Sequence, residues 1–236
     1  SVIYGLGGAF SKSIALLTLP ILTRIFSPKD FGEIEMLSVI GSLLAAGLNL
    51  GLDSAQSKFF FKEKKSGKVS QRSVVSAIFQ WHLTVGTIAV ALATLAGPVI
   101  NAWLFEGSLK PIHFAVTFVS VLFTQLLSQS VEVLRLLYRP WSYVLINFFQ
   151  SIVAVCLILL FVMLLGKDIL AYFLGTSVAS LALCFVAWYK IKDFLSFSHF
   201  HFDQWPKLLK FGLPLAPVGI VMYVMSVSDR WFVQFY

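Results

Sequence analysis

The stretch YVLINFFQSIVAVCLILLFVMLL at residues 143–165 determines the fold class, because it contains no charged side chain. A helix needs about 20 mostly apolar residues to cross the ~30 Å hydrocarbon core of a membrane. The whole chain has the same character, since 58% of its 236 residues are hydrophobic and only 12% are charged. A soluble domain usually carries about 25% charged residues. We therefore expect a polytopic membrane protein, and the composition excludes an intrinsically disordered chain.

Seven apolar runs of this length follow one another along the chain. They are Val2–Phe26, Gly32–Leu52, Val74–Ile100, Ile112–Leu137, Tyr143–Leu165, Ile169–Trp188 and Leu208–Tyr236. Helices are favoured over barrel strands because the runs are continuous, whereas a barrel shows segments of about 10 residues with alternating polarity. The sequence predicts an all-α, polytopic transmembrane helical bundle of about seven spans. Two longer connections are expected: Asp53–Ser73, which is polar and basic, and Lys190–Lys207, which is mixed in character.

The distribution of lysine and arginine predicts the orientation of the bundle. Of the 18 Lys and Arg residues, the connections on one side hold twelve and those on the other side hold four. The positive-inside rule places the twelve, and with them the N-terminus, in the cytoplasm. We interpret the segment Lys58–Arg72 and Arg139 as topology determinants that touch anionic lipid headgroups. The net charge of +7 is then explained by orientation, and we expect no nucleic-acid partner.

Three short motifs near the N-terminus and one near the C-terminus carry a family resemblance. They are LPILTR at 19–24, SPKDFG at 27–32, LGLDSA at 50–55, and KFGLPL at 210–215, which is followed by SDR at 228–230. On these residues the chain resembles bacterial polysaccharide flippases, the Wzx-like branch of the multidrug/oligosaccharidyl-lipid/polysaccharide exporter superfamily. The first three motifs resemble the start of the family's first half, and the last resembles the opening of its second half.

The resemblance implies a domain organisation. A first six-helix bundle is expected at residues 1–189, a cytoplasmic linker at 190–207, and the first helix of a second bundle at 208–236. These are parts of a MATE-like, two-bundle transporter, so we expect the chain to be the N-terminal part of a longer protein.

The resemblance also implies a function. Such a protein translocates a polyprenyl-pyrophosphate-linked oligosaccharide across the bacterial cytoplasmic (inner) membrane by alternating access, for O-antigen, lipopolysaccharide or exopolysaccharide synthesis. The expected partners are this lipid-linked substrate, anionic lipid headgroups and the polysaccharide polymerase machinery.

A pyrophosphate that crosses hydrocarbon needs a cationic cavity, and Lys12 is the strongest candidate to line it. Lys12 lies near the middle of the first span, where a lysine costs about 2.5–3.5 kcal/mol. The alternative is that Lys12 snorkels to the interface. Arg24, at the external end of the same span, is a second candidate for substrate contact. It is equally compatible with an interfacial anchor or with a pair to Glu33 or Glu35.

Arg230 in the last span is the third cationic candidate, and Asp229 stands next to it. A structural salt bridge to another helix is the alternative explanation of this pair. Neutral polar side chains are expected to meet the sugars. They are Asn49, Gln80 and Gln125. Asp53 ends the second predicted span, where it is expected to cap the helix or tether the loop.

The remaining polar residues favour structural explanations. Glu132 and Arg135, at i and i+3, are expected to form a local ion pair. His82 and His113 are isolated and are interpreted as core hydrogen-bonding residues. His199 and His201 supply only half of a metal site, so we expect no metal and no cofactor. No Ser/His/Asp set or carboxylate pair has a spacing that suggests catalysis, and we expect no enzyme.

Two sets of small residues predict close helix packing. The first is Gly47 and Gly51, and the second is Ala171, Gly175 and Ala179. Two other functions stay open. A cation-coupled multidrug exporter would favour acidic residues at mid-membrane, whereas the mid-membrane charge here is Lys12. A non-transporting structural membrane subunit is the second alternative.

Overall fold

The computed structural model describes residues 18–63, 67–166, 168–196, 200–218 and 221. Within these ranges most residues are helical and none forms a strand. The helices are α1 (described over 18–25), α2 (Pro28–Asn49), α3 (Leu52–Glu63), α4 (Lys68–Leu104), α5 (Pro111–Leu136), α6 (Pro140–Leu165), α7 (Ile169–Ile191) and α8 (Trp205–Gly212). Short 3₁₀ turns lie at Lys192–Phe194, Phe202–Gln204 and Leu213–Leu215. Three of the predicted site residues, Lys12, Asp229 and Arg230, lie outside the described residues.

Local sequence signals explain where the helices begin. Proline occupies the first turn of α2, α5 and α6, where its missing N–H has no helical partner to lose. The Ser27 side chain accepts a hydrogen bond from the Asp30 N–H, and the Asp30 carboxylate accepts one from the Ser27 N–H. The SPKDFG motif thus forms a capping box at the start of α2. Asp168 caps α7 by accepting from the Leu170 N–H at 3.0 Å.

Five helical segments are long and apolar enough to cross a membrane. They are Pro28–Glu63, in which α2 and α3 are joined, Lys68–Leu104, Pro111–Leu136, Pro140–Leu165 and Ile169–Phe194. These segments correspond to the second through sixth predicted spans. The first and seventh predicted spans fall mostly outside the described residues. The prediction of an all-α, multi-pass membrane bundle is confirmed.

The prediction of a polar loop over Asp53–Ser73 is wrong. α3 continues to Glu63 and α4 already begins at Lys68. α3 is an amphipathic helix that buries Ala55, Phe59 and Phe60 while Lys58 is exposed. Apolar side chains at helical spacing stabilise such a helix although it lacks the continuous apolar run of a spanning segment.

The connection expected at Lys190–Lys207 also contains helical elements. α7 continues to Ile191, a 3₁₀ turn follows, and α8 begins at Trp205. Residues on either side of this connection bind α4: the Ser196 N–H donates to Ser76 Oγ at 2.8 Å, and the Trp205 indole at the start of α8 donates to the Ala77 carbonyl at 3.0 Å.

α5 lies at the centre of the bundle and packs against α2, α4, α6 and α7. Its side chains Phe114, Phe118 and Leu127 are almost completely buried. α6 is peripheral, because Ile146 and Ile158 are its only buried residues. At Gly175 of α7 an added Cβ would lie 2.6 Å from the Ile158 backbone nitrogen. This contact confirms that the set around Gly175 serves close helix packing.

The path from α2 to α3 is interrupted at Leu50 and Gly51. Both residues have positive φ, 43° and 72°, and the carbonyl of Leu48 accepts a hydrogen bond from the Trp81 indole at 3.0 Å. An added Cβ at Gly51 would clash with the carbonyl oxygen of Gly212, at the end of α8. Gly51 therefore permits a close backbone approach, whereas Gly47 has no atom of the described residues within 4 Å of an added Cβ.

The connections that the charge pattern assigns to one side do meet at one end of the bundle. Lys68 pairs with Asp193 at 3.3 Å and Lys207 with Glu63 at 2.9 Å. Arg72 donates twice to the Leu195 carbonyl, at 2.9 and 3.2 Å. The Arg139 guanidinium donates to the Lys190 carbonyl at 3.2 Å. Some of the basic residues thus hold the end of α7 in place, and the cytoplasmic location of this end stays a prediction.

Candidate functional site

A cavity of about 250 Å³ lies between α2, α5 and α7. It is lined by Ser38, Gly41, Ser42, Ala45, Thr117, Ser120, Val121, Thr124, Gln125, Tyr172, Phe173 and Thr176. Hydroxyl groups are the most frequent polar group among these residues, and none of the described side chains in the wall is charged. At about 30 Å³ for each water, the cavity has room for about eight waters or for a group of the size of a sugar ring.

Helical periodicity brings these hydroxyls together. Ser38 and Ser42 of α2 are four residues apart, and Thr117, Ser120 and Thr124 of α5 follow at i, i+3 and i+7, so each set shares one helix face. The absence of a side chain at Gly41 lets α2 approach α5, because an added Cβ there would lie 2.7 Å from Val121 Cγ2.

The hydrogen bonds of the lining leave acceptor capacity open. Ser38 Oγ donates to the Ile34 carbonyl and Ser42 Oγ to the Ser38 carbonyl, both at 2.7 Å. A hydroxyl has one proton and two lone pairs, so each of these groups has used its proton on its own helix. The remaining lone pairs suit a ligand that brings its own donors.

Thr117 is the most informative residue of the lining. It is fully buried, and its hydroxyl has no hydrogen-bond partner among the described residues. Leaving a buried hydroxyl unpaired costs about 1–3 kcal/mol, so this group lowers the stability of the folded bundle. Thr117 was not identified from the sequence. The spacing of hydroxyl residues along α5 was the signal that could have found it.

The predicted sugar-contacting residues are separated by the fold. Gln125 lies in the cavity wall, with its Nε2 atom 3.4 Å from Nε2 of His82. Gln80 lies elsewhere and holds the segment after α7: its Oε1 accepts from the His201 N–H at 2.8 Å, and its Nε2 donates to the Ser196 carbonyl at 3.4 Å. Asn49 belongs to a different polar group, which is centred on Asp53.

Asp53 lies inside the first turn of α3, bound to two other helices. Asn49 Nδ2 donates to Asp53 Oδ2 at 2.6 Å, and Gln129 Nε2 of α5 donates to Asp53 Oδ1 at 2.5 Å. The carboxylate therefore tethers α2, α3 and α5 to one another instead of capping a helix or holding a loop. Gln129 was not identified from the sequence.

Arg24 is exposed at the end of α1. The ion pair found for Glu33 among the described residues does not involve Arg24. Glu33 instead pairs with Lys29 at 3.9 Å and accepts from Ser108 Oγ at 2.9 Å. Lys29, Glu33 and Ser108 line a second cavity, of about 440 Å³, near the start of α2.

Glu132 and Arg135 form the predicted local ion pair. Glu132 also lines a cavity of about 210 Å³ between α5 and α6, together with Tyr143, Asn147 and Gln150. His82 is fully buried, and its Nδ1 lies 2.9 Å from the Ile78 carbonyl, as expected for a core hydrogen-bonding residue.

The other predicted core histidine, His113, joins the starts of α5 and α7. Its Nε2 lies 2.9 Å from Asp168 Oδ1, and its Nδ1 accepts from the Lys110 N–H at 3.0 Å. Burial by itself raises the pKa of Asp168. The hydrogen bonds from the Leu170 N–H and from His113, with the charges of His113 and Lys110, outweigh burial and hold that pKa below its usual value.

Metal-ligating side chains do not converge in the described ranges. No three residues of the types His, Cys, Asp and Glu lie close enough together there to hold a metal ion. The backbone N–H of His201 is bound to Gln80, and His199 lies outside the described residues.

Comparison with known proteins places this geometry in context. The family model described as polysaccharide biosynthesis protein matches residues 1–236. A protein of the Lsg locus of Haemophilus influenzae is 22% identical over 238 residues, which cover 99% of this chain and 55% of the relative. The chain thus spans about half the length of this curated relative. No solved structure matches the chain.

Proposed function

The chain belongs to the polysaccharide biosynthesis protein family, and from that premise we propose that the full protein is a flippase for lipid-linked oligosaccharides. Its substrate is a polyprenyl pyrophosphate that carries sugars, and translocation runs by alternating access across the bacterial cytoplasmic membrane. The N-terminus is cytoplasmic in this proposal, the product feeds the polysaccharide polymerase machinery, and the basic end of the bundle contacts anionic headgroups.

The observation that carries the proposal is the cavity between α2, α5 and α7. Sugars present many hydroxyl donors, and the lining offers hydroxyl oxygens whose own protons are already used within the helices. The ring of Tyr172 adds an aromatic face for a sugar ring. A cationic drug would require an acidic wall instead, and the described lining of this cavity contains no Asp or Glu.

The pyrophosphate requires positive charge, which the described wall of the cavity lacks. We assign this role to Lys12, Arg24 and Arg230, as the sequence suggests. Arg24 is exposed at the end of α1 and is therefore accessible to an anion. Glu33, Glu35 and Asp229 are the acidic residues that stand near these cations in the sequence.

The function is tested in cells that lack the gene. We expect them to accumulate lipid-linked sugar repeats in the inner leaflet, accessible only from the cytoplasmic side, and we expect the full-length gene to reverse this. Variants in which Lys12, Arg24 and Arg230 are replaced together by alanine should fail to restore transport.

The control is Lys192→Ala, which removes an exposed cation at the predicted cytoplasmic end and should restore transport fully. Normal distribution of the lipid-linked sugars in cells without the gene would contradict the flippase proposal. Full transport by the triple variant would contradict the cationic assignment alone.

A further inference from the structure

We propose that the cavity between α5 and α6 is a further sugar subsite, which binds a second sugar of the same lipid-linked oligosaccharide. This α5–α6 cavity has a volume of about 210 Å³, and its polar lining residues are Thr124, Ser128, Glu132, Tyr143, Asn147 and Gln150. The proposal rests on the proposed function, because it takes the first sugar to occupy the hydroxyl-lined cavity between α2, α5 and α7. It adds that the transporter distinguishes oligosaccharides by their length.

The α6 side of this cavity is a polar face on a very apolar helix. The span Pro140–Leu165 has a mean hydropathy of 2.8, yet Tyr143, Asn147 and Gln150 all line the cavity. They lie at i, i+4 and i+7 and therefore share one face of the helix. Polar side chains within a membrane are costly and generally face the bundle interior or a water-filled cavity. This face of α6 therefore serves the cavity and not contact with lipid.

The α5 side places the two cavities next to each other. Thr124 lines both of them, and Ser128 and Glu132 continue its helix face at i+4 and i+8. The midpoints of the two α5 walls, near Val121 and Ser128, are separated by about 10 Å along the helix at ~1.5 Å per residue. That separation exceeds the width of one sugar ring. The two cavities are therefore suited to different sugars of one chain.

Ser180 of α7 fixes the boundary between the two cavities. Its buried Oγ lies 3.1 Å from Thr124 Oγ1 of α5 and accepts a hydrogen bond from Gln150 Nε2 of α6 at 3.4 Å. One hydroxyl thus joins three helices at the place where the cavities meet. The packed core of the bundle therefore sets the geometry of this boundary.

The two amide side chains of this wall bind the rest of the described protein through their nitrogens. Asn147 Nδ2 donates to the Tyr143 carbonyl at 2.9 Å, and Gln150 Nε2 donates to Ser180. An amide group has two N–H donors and one oxygen acceptor, so each of these bonds uses only one donor. Sugar hydroxyls donate and accept at once, and groups that offer both a donor and an acceptor suit them.

The charge of the wall favours a neutral ligand. Glu132 is the one charged residue in the described lining, and its Oε1 accepts a hydrogen bond from the Arg135 guanidinium. Because this ion pair balances the carboxylate, we expect neither a cationic drug nor the pyrophosphate in this cavity. The second carboxylate oxygen is available to a sugar hydroxyl, in the charge-assisted type of hydrogen bond that is stronger than a neutral one.

The experiment compares two substrates that differ in length. The full-length protein, in proteoliposomes, is given a polyprenyl pyrophosphate that carries either one sugar or three sugars. Asn147→Leu combined with Gln150→Met removes both amides without changing the charge of the wall. Because two hydrogen bonds are lost only with the longer substrate, we expect its translocation rate to fall at least about tenfold. The rate for the single-sugar substrate should stay unchanged. Ser151→Ala, on α6 but outside this lining, should retain both rates.

The single-sugar substrate also serves as the control for folding. An equal fall of both rates would show that the amides stabilise the protein or serve every substrate, and it would overturn the second subsite. Unchanged rates with both substrates would overturn it as well. Both of these outcomes leave the flippase proposal intact. Transport of neither substrate by the unmodified protein would contradict the flippase proposal and the subsite together.

Discussion

The hydroxyl-lined cavity between α2, α5 and α7 and the Asp53 cluster at the α2–α3 break are both polar, but their hydrogen bonds go to different places. In the cavity, Ser38 and Ser42 donate to carbonyls of their own helix. In the cluster, Asp53 is bound to side chains of two other helices. In our proposal the first region is a surface that the sugars of the substrate contact, whereas the second region joins three helices.

This difference separates two energetic roles. A hydroxyl that is satisfied within its own helix can gain and lose a ligand with little effect on the bundle. A carboxylate shared by three helices cannot lose a partner without exposing unpaired amides, since hydrogen bonds to charged groups contribute about 1.5–3 kcal/mol each. We therefore expect substitutions in the cluster to change stability and substitutions in the cavity to change transport.

The largest effect is expected for Asp53→Leu. This change leaves the amide N–H groups of Asn49 and Gln129 buried without an acceptor and should reduce the free energy of unfolding by roughly 3 kcal/mol. Unfolding in a denaturing detergent titration measures the change. Asp203→Asn, at an exposed position, is the control and should change stability by less than about 0.5 kcal/mol. Equal stability of the two variants would show that Asp53 does not stabilise the contacts between α2, α3 and α5.

A smaller effect is expected for Gly51→Ala, compared with Gly47→Ala. The added methyl group at Gly51 clashes with the Gly212 carbonyl, and the φ of 72° is unfavourable for alanine, so we expect a loss of about 2 kcal/mol. At Gly47 no described atom lies within 4 Å of the added Cβ. Alanine should therefore stabilise α2 by roughly 0.5–1 kcal/mol. The same unfolding titration measures both variants, and a loss of similar size at both positions would refute the close approach to α8.

Thr117→Val should have an effect of opposite sign on stability. Because the Thr117 hydroxyl is buried without a partner among the described residues, its removal should leave stability unchanged or raise it by up to about 1 kcal/mol. Thr87→Val, at an exposed position on α4, is the matched control and should have no effect. A clear destabilisation by Thr117→Val would place this hydroxyl among the structural groups.

The smallest effect concerns the opposite end of the bundle. The folded-state pKa of Asp168 is depressed, so its contribution to stability is present above the unfolded-state pKa and is lost as the pH falls through the folded-state pKa. Asp168→Asn should therefore lower the melting temperature slightly at neutral pH, and the difference from the unmodified protein should shrink as the pH falls below about 4 and vanish below the depressed folded-state pKa. Melting curves from the acidic range up to neutral pH measure this difference in melting temperature. A difference that grows on acidification would contradict the prediction.

The sequence was sufficient for the five spanning helices among the described residues but not for the amphipathic one. The continuous run at 143–165 predicts α6, which the structure extends by only three residues, to Pro140. α3 was not predicted, because a continuous apolar run is not the pattern of a helix whose apolar residues lie in a stripe on one face. The buried Phe59 and Phe60 and the exposed Lys58 all belong to one such helix.

The candidate site was less predictable from the sequence, because each of its polar residues, taken alone, is of a common type. Gln125 was expected at a sugar site and does lie in the cavity wall, whereas Gln80 binds the segment after α7. Packing between distant segments determines which face of a helix contacts which neighbour. For α2 and α5, one such contact is the close approach of Gly41 to Val121. The pairing of Asp53 with Gln129, 76 positions apart in the chain, left no local signal.

Our main proposal places the sugars of a lipid-linked oligosaccharide in the hydroxyl-lined cavity. It is tested by the rate at which the full-length protein, in proteoliposomes, translocates a polyprenyl-pyrophosphate oligosaccharide. The double variant Thr124→Val with Thr176→Val, both in the cavity wall, is compared with Thr87→Val with Thr94→Val, whose hydroxyls donate within α4. Loss of two hydrogen bonds of about 1 kcal/mol each predicts a rate at least about tenfold lower for the cavity variant. Equal rates for the two double variants would contradict the proposal.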